Sequence, residues 1–324
     1  MIDWQQLTNH LSRQTDLEGV REFDINRIAA SNRPSDNALI FASAPDEAAL
    51  ALMAKVSGCV MILPVKLREQ ASPIAKSNAV LFTDDPRYRF AEILNAVVNT
   101  IDLRGRLVYD EKRHAYIGPN VMIDSTATVE PGSSIGANSR LEAGAYIMTG
   151  ARLGPNVTVG KNSVIKENCV VGGWGYGYAL SPGKHPLRLP HLGGVVIGDN
   201  CEVGSFTTVC SGTIETTIIK DHAKIDDHVH IAHNCIIEED AMVVACAEVS
   251  GSVRVGKRSW LGPNCAIIDR ITIGDDCVVG MGAVVLKSLA DGSVVAGNPA
   301  KLTSELKRQS ELLKRVEAYL DSQP

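Results

Sequence analysis

The chain has 324 residues, enough for more than one structural unit, and a formal net charge of −5 with 21% charged residues, a balance that leaves no electrostatic footprint for nucleic acid or an anionic membrane surface. Apolar residues reach 45% but aromatics only 5%, which suits a structure stacked on isoleucine and valine better than a globular core. No window approaches the ~18 uninterrupted apolar residues of a membrane-spanning helix, and the opening residues include acids and no apolar run of signal-peptide type, so a cytoplasmic protein is expected.

Residues 1–103 read as a small α/β domain. Short apolar runs at Ala38 to Ala42, Cys59 to Leu63 and Ala79 to Phe82 alternate with helical stretches, and Asp85-Pro86 opens a helix through Val98. From Ile117 a different rhythm begins. An aliphatic residue returns at every sixth position from Ile117 to Val171, and again from Ile219 to Val285. Neither a helix at ~3.6 residues per turn nor a strand at ~2.0 has that period, whereas a parallel β-helix of short strands and turns does. Four residues after most of these aliphatics stands a small residue, such as Ser133, Ser163, Cys169, Cys235, Ala247 or Cys265, which fits a narrow interior beside a turn. Residues 104–300 are therefore expected to form a left-handed parallel β-helix of hexapeptide repeats, three hexads to a coil. Residues 301–324 read as a C-terminal helix, with Leu302, Leu306, Leu313, Val316 and Leu320 forming a short apolar seam. That seam suits packing between neighbouring subunits or packing back onto the β-helix.

The eight cysteines include no CxxC pair. Cys169, Cys201, Cys235, Cys265 and Cys277 all fall on the small inward position, so they are expected to be buried apolar residues rather than metal ligands.

Two places break the six-residue register, and breaks in a solenoid are where function is commonly grafted. The larger, between Val171 and Ile197, is rich in glycine, aromatics and basic residues: Trp174, Tyr176, Tyr178, Lys184, His185, Arg188 and His191. A loop of this kind could fold over a sugar or an acyl chain. The smaller lies between Val209 and Ile219. It precedes the most reactive stretch, Lys224-Ile225-Asp226-Asp227-His228-Val229-His230-Ile231-Ala232-His233-Asn234, where three of the eight histidines lie within six residues. A zinc site would need these side chains to converge, but their spacing sends them off the prism in different directions. General-base chemistry is the better expectation, since an imidazole ordinarily titrates near neutrality and can accept a proton from an attacking amine or hydroxyl.

His230-Ile231-Ala232-His233-Asn234 preceded by Lys224-Ile225-Asp226-Asp227, the loop Gly172-Gly173-Trp174-Gly175-Tyr176-Gly177-Tyr178-Ala179, and Leu189-Pro190-His191-Leu192-Gly193 together resemble motifs of the UDP-3-O-acylglucosamine N-acyltransferases of lipid A synthesis. The three-part layout is similar too, so the resemblance runs over nearly the whole chain. It implies a cytoplasmic homotrimer that moves an acyl group, 3-hydroxyacyl among the candidates, from a phosphopantetheine thioester to the amino group of a nucleotide-linked amino sugar. The donor would be an acyl-carrier protein or coenzyme A thioester acting as co-substrate, with no permanently bound cofactor and no metal. The family's catalytic histidine falls on His233 and its oxyanion contact on Gly251, eighteen residues or one coil further on. Counting back one coil reaches Glu215, a candidate to orient the imidazole. Trp174, Tyr176, Tyr178, His191, His230, Asp227 and Arg270 are the corresponding candidates for substrate binding.

The chain also departs from that pattern. Ser43-Ala44-Pro45-Asp46 stands where the family has Asn-Pro-Lys-Tyr for uracil, Cys210-Ser211-Gly212 where it has Asp-Arg-Gly, Arg270 at a second histidine and Trp174 at the loop aspartate. Gly280-Met281-Gly282-Ala283 followed by Gly297-Asn298-Pro299-Ala300-Lys301 resembles the end of acetyl-coenzyme A dependent sugar acetyltransferases. A short-chain sugar N-acetyltransferase is thus one alternative, and a non-catalytic hexapeptide scaffold or sugar-nucleotide binding protein is another.

Overall fold

The structure, a computed structural model, describes residues 3–97 and 106–321. The expected boundary at 103/104 and the end of the helix at Val98 lie outside the described residues. The chain divides into two compact units. The first comprises residues up to 105 together with 176–193 and 213–215, and the second comprises 106–175, 194–212 and 216–324.

The first unit is built on a five-stranded sheet of β1 (Leu17–Gly19), β2 (Arg27–Ala30), β3 (Ala38–Phe41), β4 (Val60–Pro64) and β5 (Ala79–Thr83) in the order β1-β5-β4-β3-β2. β2 to β5 run parallel and β1 pairs antiparallel to β5. The three apolar runs of the sequence are β3, β4 and β5, and all five residues of β4 are buried, as expected of parallel strands covered on both faces. Helices α1 (Trp4–Ser12) and α3 (Pro86–Val97) supply Leu7, Leu11, Phe90 and Leu94 to one core cluster. α2 (Glu47–Met53) supplies Met53 to a second cluster with Met61, Leu63 and Ile74. Pro86 sits in the first turn of α3, where its missing N–H costs nothing, and the Asp85 carboxylate accepts the Tyr88 N–H at 2.9 Å. Asp46 caps α2 in the same way, through the Ala49 N–H at 2.8 Å. The aspartate that stands in the position of the expected uracil contacts therefore acts as a helix cap.

The larger register break completes this first unit. Tyr178–Leu180 and Pro186–Arg188 form an antiparallel hairpin, and Ala179, Leu187, Leu189 and Leu192 join the cluster containing Phe90 and Leu94, as does Ile214 from the smaller break. The Asn95 amide donates to the Arg188 carbonyl at 2.7 Å. The aromatic loop is neither a bare solvent loop nor a free flap, because its aliphatic residues are part of a core.

The second unit is a parallel β-helix with three faces. Among the described residues its sheets have 10, 8 and 10 strands. Neighbouring coils pair eighteen residues apart, Ile117 with Ile135, Leu141 with Val159, Ile231 with Val249 and Leu261 with Val279. The first break lengthens one coil by twenty residues, so that Val159 pairs with Ile197. The second lengthens the next coil by four, so that Ile197 pairs with Ile219. The six-residue aliphatics are buried in one continuous cluster.

Two local devices close each hexad. The corner residue adopts φ between about +54° and +64° at Asn120, Asn138, Asn162, Asn234, Ser252, Arg270 and others at the same spacing. Asparagine recurs there because it tolerates the left-handed region better than other side chains with a Cβ. At the small inward position, hydroxyls tie successive coils. Ser163 Oγ donates to the Gly198 carbonyl at 2.7 Å and accepts the Cys201 N–H at 2.9 Å, and Ser259 does the same with Gly274 and Cys277. Every cysteine is buried except Cys246.

α4 (Thr303–Asp321) closes the chain and contains no buried residue. Leu312, Leu313, Val316 and Leu320 are exposed, so the seam is uncovered rather than packed back against the β-helix.

Candidate active site

His233 lies at the corner that follows the strand His230–Ile231 and precedes Ile236–Ile237. Its carbonyl accepts the Ser252 N–H at 2.9 Å, and the Gly251 carbonyl one coil on accepts the Arg270 N–H at 3.0 Å. His233, Gly251 and Arg270 therefore form a column along one edge of the prism. The imidazole lies directly on Gly251. A Cβ built there would stand 2.7 Å from His233 Cε1 and 3.0 Å from Nε2, closer than any side chain could be accommodated without moving the ring. The bareness of Gly251 leaves the ring room to lie where it does.

The Gly251 N–H occupies a telling position. In this β-helix the residue before the corner residue points its N–H outward, and a carboxylate commonly takes it. Lys161, Asp199, Ser205, Lys257 and Asp275 donate in this way to Asp199, Asp221, Asp227, Asp275 and Asp291 at 2.7, 2.8, 2.7, 2.9 and 2.8 Å. Thr149 donates likewise to Glu130 at 2.7 Å, and Ala245 to Asp226 at 3.1 Å. At these seven corners the position meets a carboxylate oxygen. Gly251, which precedes Ser252, donates to no oxygen among the described residues, and it does so beside an imidazole. A fixed N–H next to a base is the arrangement that stabilises a developing oxyanion.

Around the pair, His230 and Glu248 stand in register on the adjoining face, within reach of each other at the ~4.8 Å strand spacing. The Ser250 hydroxyl donates to the Glu248 carboxylate at 3.1 and 3.0 Å. Arg270 is exposed and carries an ion pair to Asp269 at 3.5 Å. Glu248, Ser250 and Asn234 were not singled out from the sequence, although a count of eighteen from His230 reaches Glu248.

Asp227 and His228 sit at a different corner, where Asp227 accepts the Ser205 N–H at 2.7 Å and pairs with Lys166 at 3.5 Å, and His228 stacks on Phe206 with ring centroids 5.3 Å apart. The three clustered histidines thus occupy two corners and a face, as their spacing implied. Trp174 ends a strand of the prism and pairs with Ser211. Tyr176, Tyr178, His191 and Glu215 belong to the first unit. Tyr176 is exposed and packs edge-on against Tyr178, the Arg188 guanidinium lies 4.5 Å over the Tyr178 ring, and His191 is buried against Gly177. Glu215 forms a long ion pair with Arg33 at 3.9 Å.

The chain matches the bacterial transferase hexapeptide family (six repeats) at residues 114–148, 139–173 and 252–287. It is 33% identical over 158 residues to the UDP-3-O-acylglucosamine N-acyltransferase of Methylococcus capsulatus, covering 49% of this chain and 45% of that one. It is 36% identical over 146 residues to the enzyme of the same name from Campylobacter lari, covering 45% and 46%. The matched part thus spans about half the length of these curated relatives. Among solved structures, the UDP-N-acetylglucosamine O-acyltransferase of Moraxella catarrhalis aligns with a TM-score of 0.54 at 24% identity, over 64% of this chain and 81% of that one. The UDP-N-acetylglucosamine acyltransferase of Francisella novicida gives 0.54 at 24%, over 60% and 71%. These likenesses establish the left-handed β-helix as the shared fold. The chain thus carries repeats similar to those of the bacterial transferase hexapeptide family at residues 114–173 and 252–287, and over about half its length it is similar to the UDP-3-O-acylglucosamine N-acyltransferases.

Proposed function

We propose that this protein is an N-acyltransferase that moves an acyl group from a phosphopantetheine thioester to the amino group of a nucleotide-linked amino sugar, in lipid A synthesis or a related surface glycan. The observation that carries the reading is the His233 imidazole lying on Gly251, whose outward N–H has no taker among the described residues. The His233 Nε2 accepts a proton from the amine as its nitrogen attacks the thioester carbonyl. The Gly251 N–H holds the oxygen as it gains charge, the C–S bond breaks, and the imidazolium returns the proton to the departing thiolate. No acyl-enzyme forms, and general-base assistance of this kind contributes on the order of 10²–10⁴ in rate.

Arg270 and His230 flank this pair and are the residues proposed to meet the acceptor. The uncovered apolar residues of α4 support assembly of the chain as a homotrimer. The donor is an acyl-carrier protein or a coenzyme A thioester. A short-chain donor is the second reading, favoured by the likeness of Gly280 to Ala283 and Gly297 to Lys301 to acetyltransferase ends.

The test is release of free thiol from 3-hydroxyacyl-carrier protein and from short-chain coenzyme A thioesters, with uridine- and thymidine-diphosphate amino sugars as acceptors. Thiol release that requires both an acceptor amine and His233 is the expected result. A folded protein that binds the sugar nucleotide and releases no thiol with any donor would make it a binding protein.

A further inference from the structure

We infer that Arg270 is a positioning residue that holds the Asp269 carboxylate away from the Gly251 N–H, so that this N–H stays open to a substrate oxygen. The pairing of Val249 with Ile267 places Asp269 one coil after Gly251 and in register with it, and the Arg270 N–H donates to the Gly251 carbonyl at 3.0 Å. Elsewhere on the β-helix an aspartate in that relation takes the N–H. Asp199 accepts from Lys161, Asp221 from Asp199, Asp227 from Ser205, Asp275 from Lys257 and Asp291 from Asp275, each across one coil and at 2.7, 2.8, 2.7, 2.9 and 2.8 Å. Asp269 has the same side chain in the same place. Its carboxylate instead lies 3.5 Å from the Arg270 guanidinium, and the Gly251 N–H donates to no oxygen among the described residues.

The side from which a cation pulls explains the difference. Glu239 stands in register with Asp221, and Lys257 of the following coil holds its carboxylate at 2.6 Å. The Asp221 N–H is then likewise without an acceptor among the described residues. Lys166 comes from the coil before Asp227, on the side of the Ser205 N–H, and there the carboxylate meets both groups, at 3.5 and 2.7 Å. Arg270 draws Asp269 along its own coil, away from Gly251. The two side chains are 72% and 49% exposed, and an ion pair so open to water is weak, so loss of the guanidinium is enough to free the carboxylate. On the Gly251 N–H that carboxylate would take the place of the thioester oxygen and set a fixed negative charge where one has to develop.

The inference rests on the reading of Gly251 as the donor to the oxyanion, but its spectroscopic test does not. Glycines of the full chain are labelled with ¹⁵N, and Gly251→Ala identifies the Gly251 amide resonance. Arg270→Gly removes the cation and adopts φ 60° without strain. In that variant the Gly251 amide proton is expected to move downfield, as a charge-assisted bond to Asp269 forms. Adding Asp269→Ala, or using Arg270→Lys in place of Arg270→Gly, is expected to return it to the native position. Thiol release is expected to fall by roughly 10² in Arg270→Gly, the cost of losing an oxyanion donor, and to recover in Arg270→Gly/Asp269→Ala and in Arg270→Lys. A role of Arg270 confined to meeting the acceptor predicts no rescue by Asp269→Ala. An unmoved Gly251 amide in Arg270→Gly, or a loss of thiol release that Asp269→Ala does not relieve, overturns the inference. The expected amide shifts with no thiol release by the native protein from any donor would uphold the hold on Asp269 and sink the functional reading alone.

Discussion

At the scale of single residues, the proposed site rests on one side chain and on the lack of another. His233 is half-buried at a corner and adds little to the core, so His233→Ala is expected to leave the melting temperature nearly unchanged while lowering turnover by about 10²–10⁴. Thiol release and a thermal melt on the same preparation check this, and near-normal turnover in the folded variant removes His233 from the mechanism. Gly251→Ala separates the two parts of the site. The variant keeps the backbone N–H, and φ at Gly251 lies outside the left-handed region, so the backbone accepts alanine without strain. The new methyl would stand 2.7 Å from His233 Cε1, and the ring must move. Turnover is expected to fall at least about tenfold, since a displaced base loses part of its 10²–10⁴ contribution, with a shift of the His233 ring resonances and an unchanged melt. Unchanged resonances would show that the ring does not rest on Gly251.

At the scale of elements, each hexad is an aliphatic plug, a small inward residue and a corner residue at positive φ. The small position explains the cysteines. Burial pushes the thiols of Cys169, Cys235 and Cys265 up to about 12 and those of Cys201 and Cys210 up to about 11. The thiolate is the reactive form, so these groups are inert near neutrality both by protonation and by access. Brief alkylation of the native protein at neutral pH is expected to label Cys246, the exposed cysteine, and all eight after denaturation. Peptide mass mapping reads the result, and rapid labelling of Cys235 in the native state would mean that the coil carrying His233 opens readily.

At the scale of the whole molecule, the six-residue beat predicts that residues from Arg106 onward coil by themselves, because the hexads bury their own aliphatics. The inserted hairpin changes what such a truncation does. Ala179, Leu187, Leu189 and Ile214 belong to the core of the first unit, and removing residues before Arg106 bares them. The truncated chain is expected to show β-structure by circular dichroism, yet to bind a hydrophobic dye and self-associate. Replacing Tyr176–Gly193 by a short polar link should abolish the dye binding. A truncated chain that stays monodisperse and dye-free with the hairpin intact would show that these residues do not need the first unit.

The sequence alone determined the β-helix, because a six-residue period has one structural solution and each repeat buries its plug against the next coil. It also determined the sheet of the first unit through three apolar runs, the place of His233 and Gly251 through a count of one coil, and the burial of the inward cysteines. Tertiary structure decided what a count along the chain leaves open. The hairpin's aliphatics could have faced a ligand, a subunit or solvent, and only packing assigns Ala179 and Leu189 to a core of residues roughly ninety positions earlier. Asp227 and His228 read as part of one reactive cluster with His233, but a corner turns the chain between them, and Asp227 caps the Ser205 N–H instead. That Asn234 faces the imidazole, while Asn120 and Asn138 face the next asparagine, depends on a χ angle. Linear periodicity carries no information about that angle.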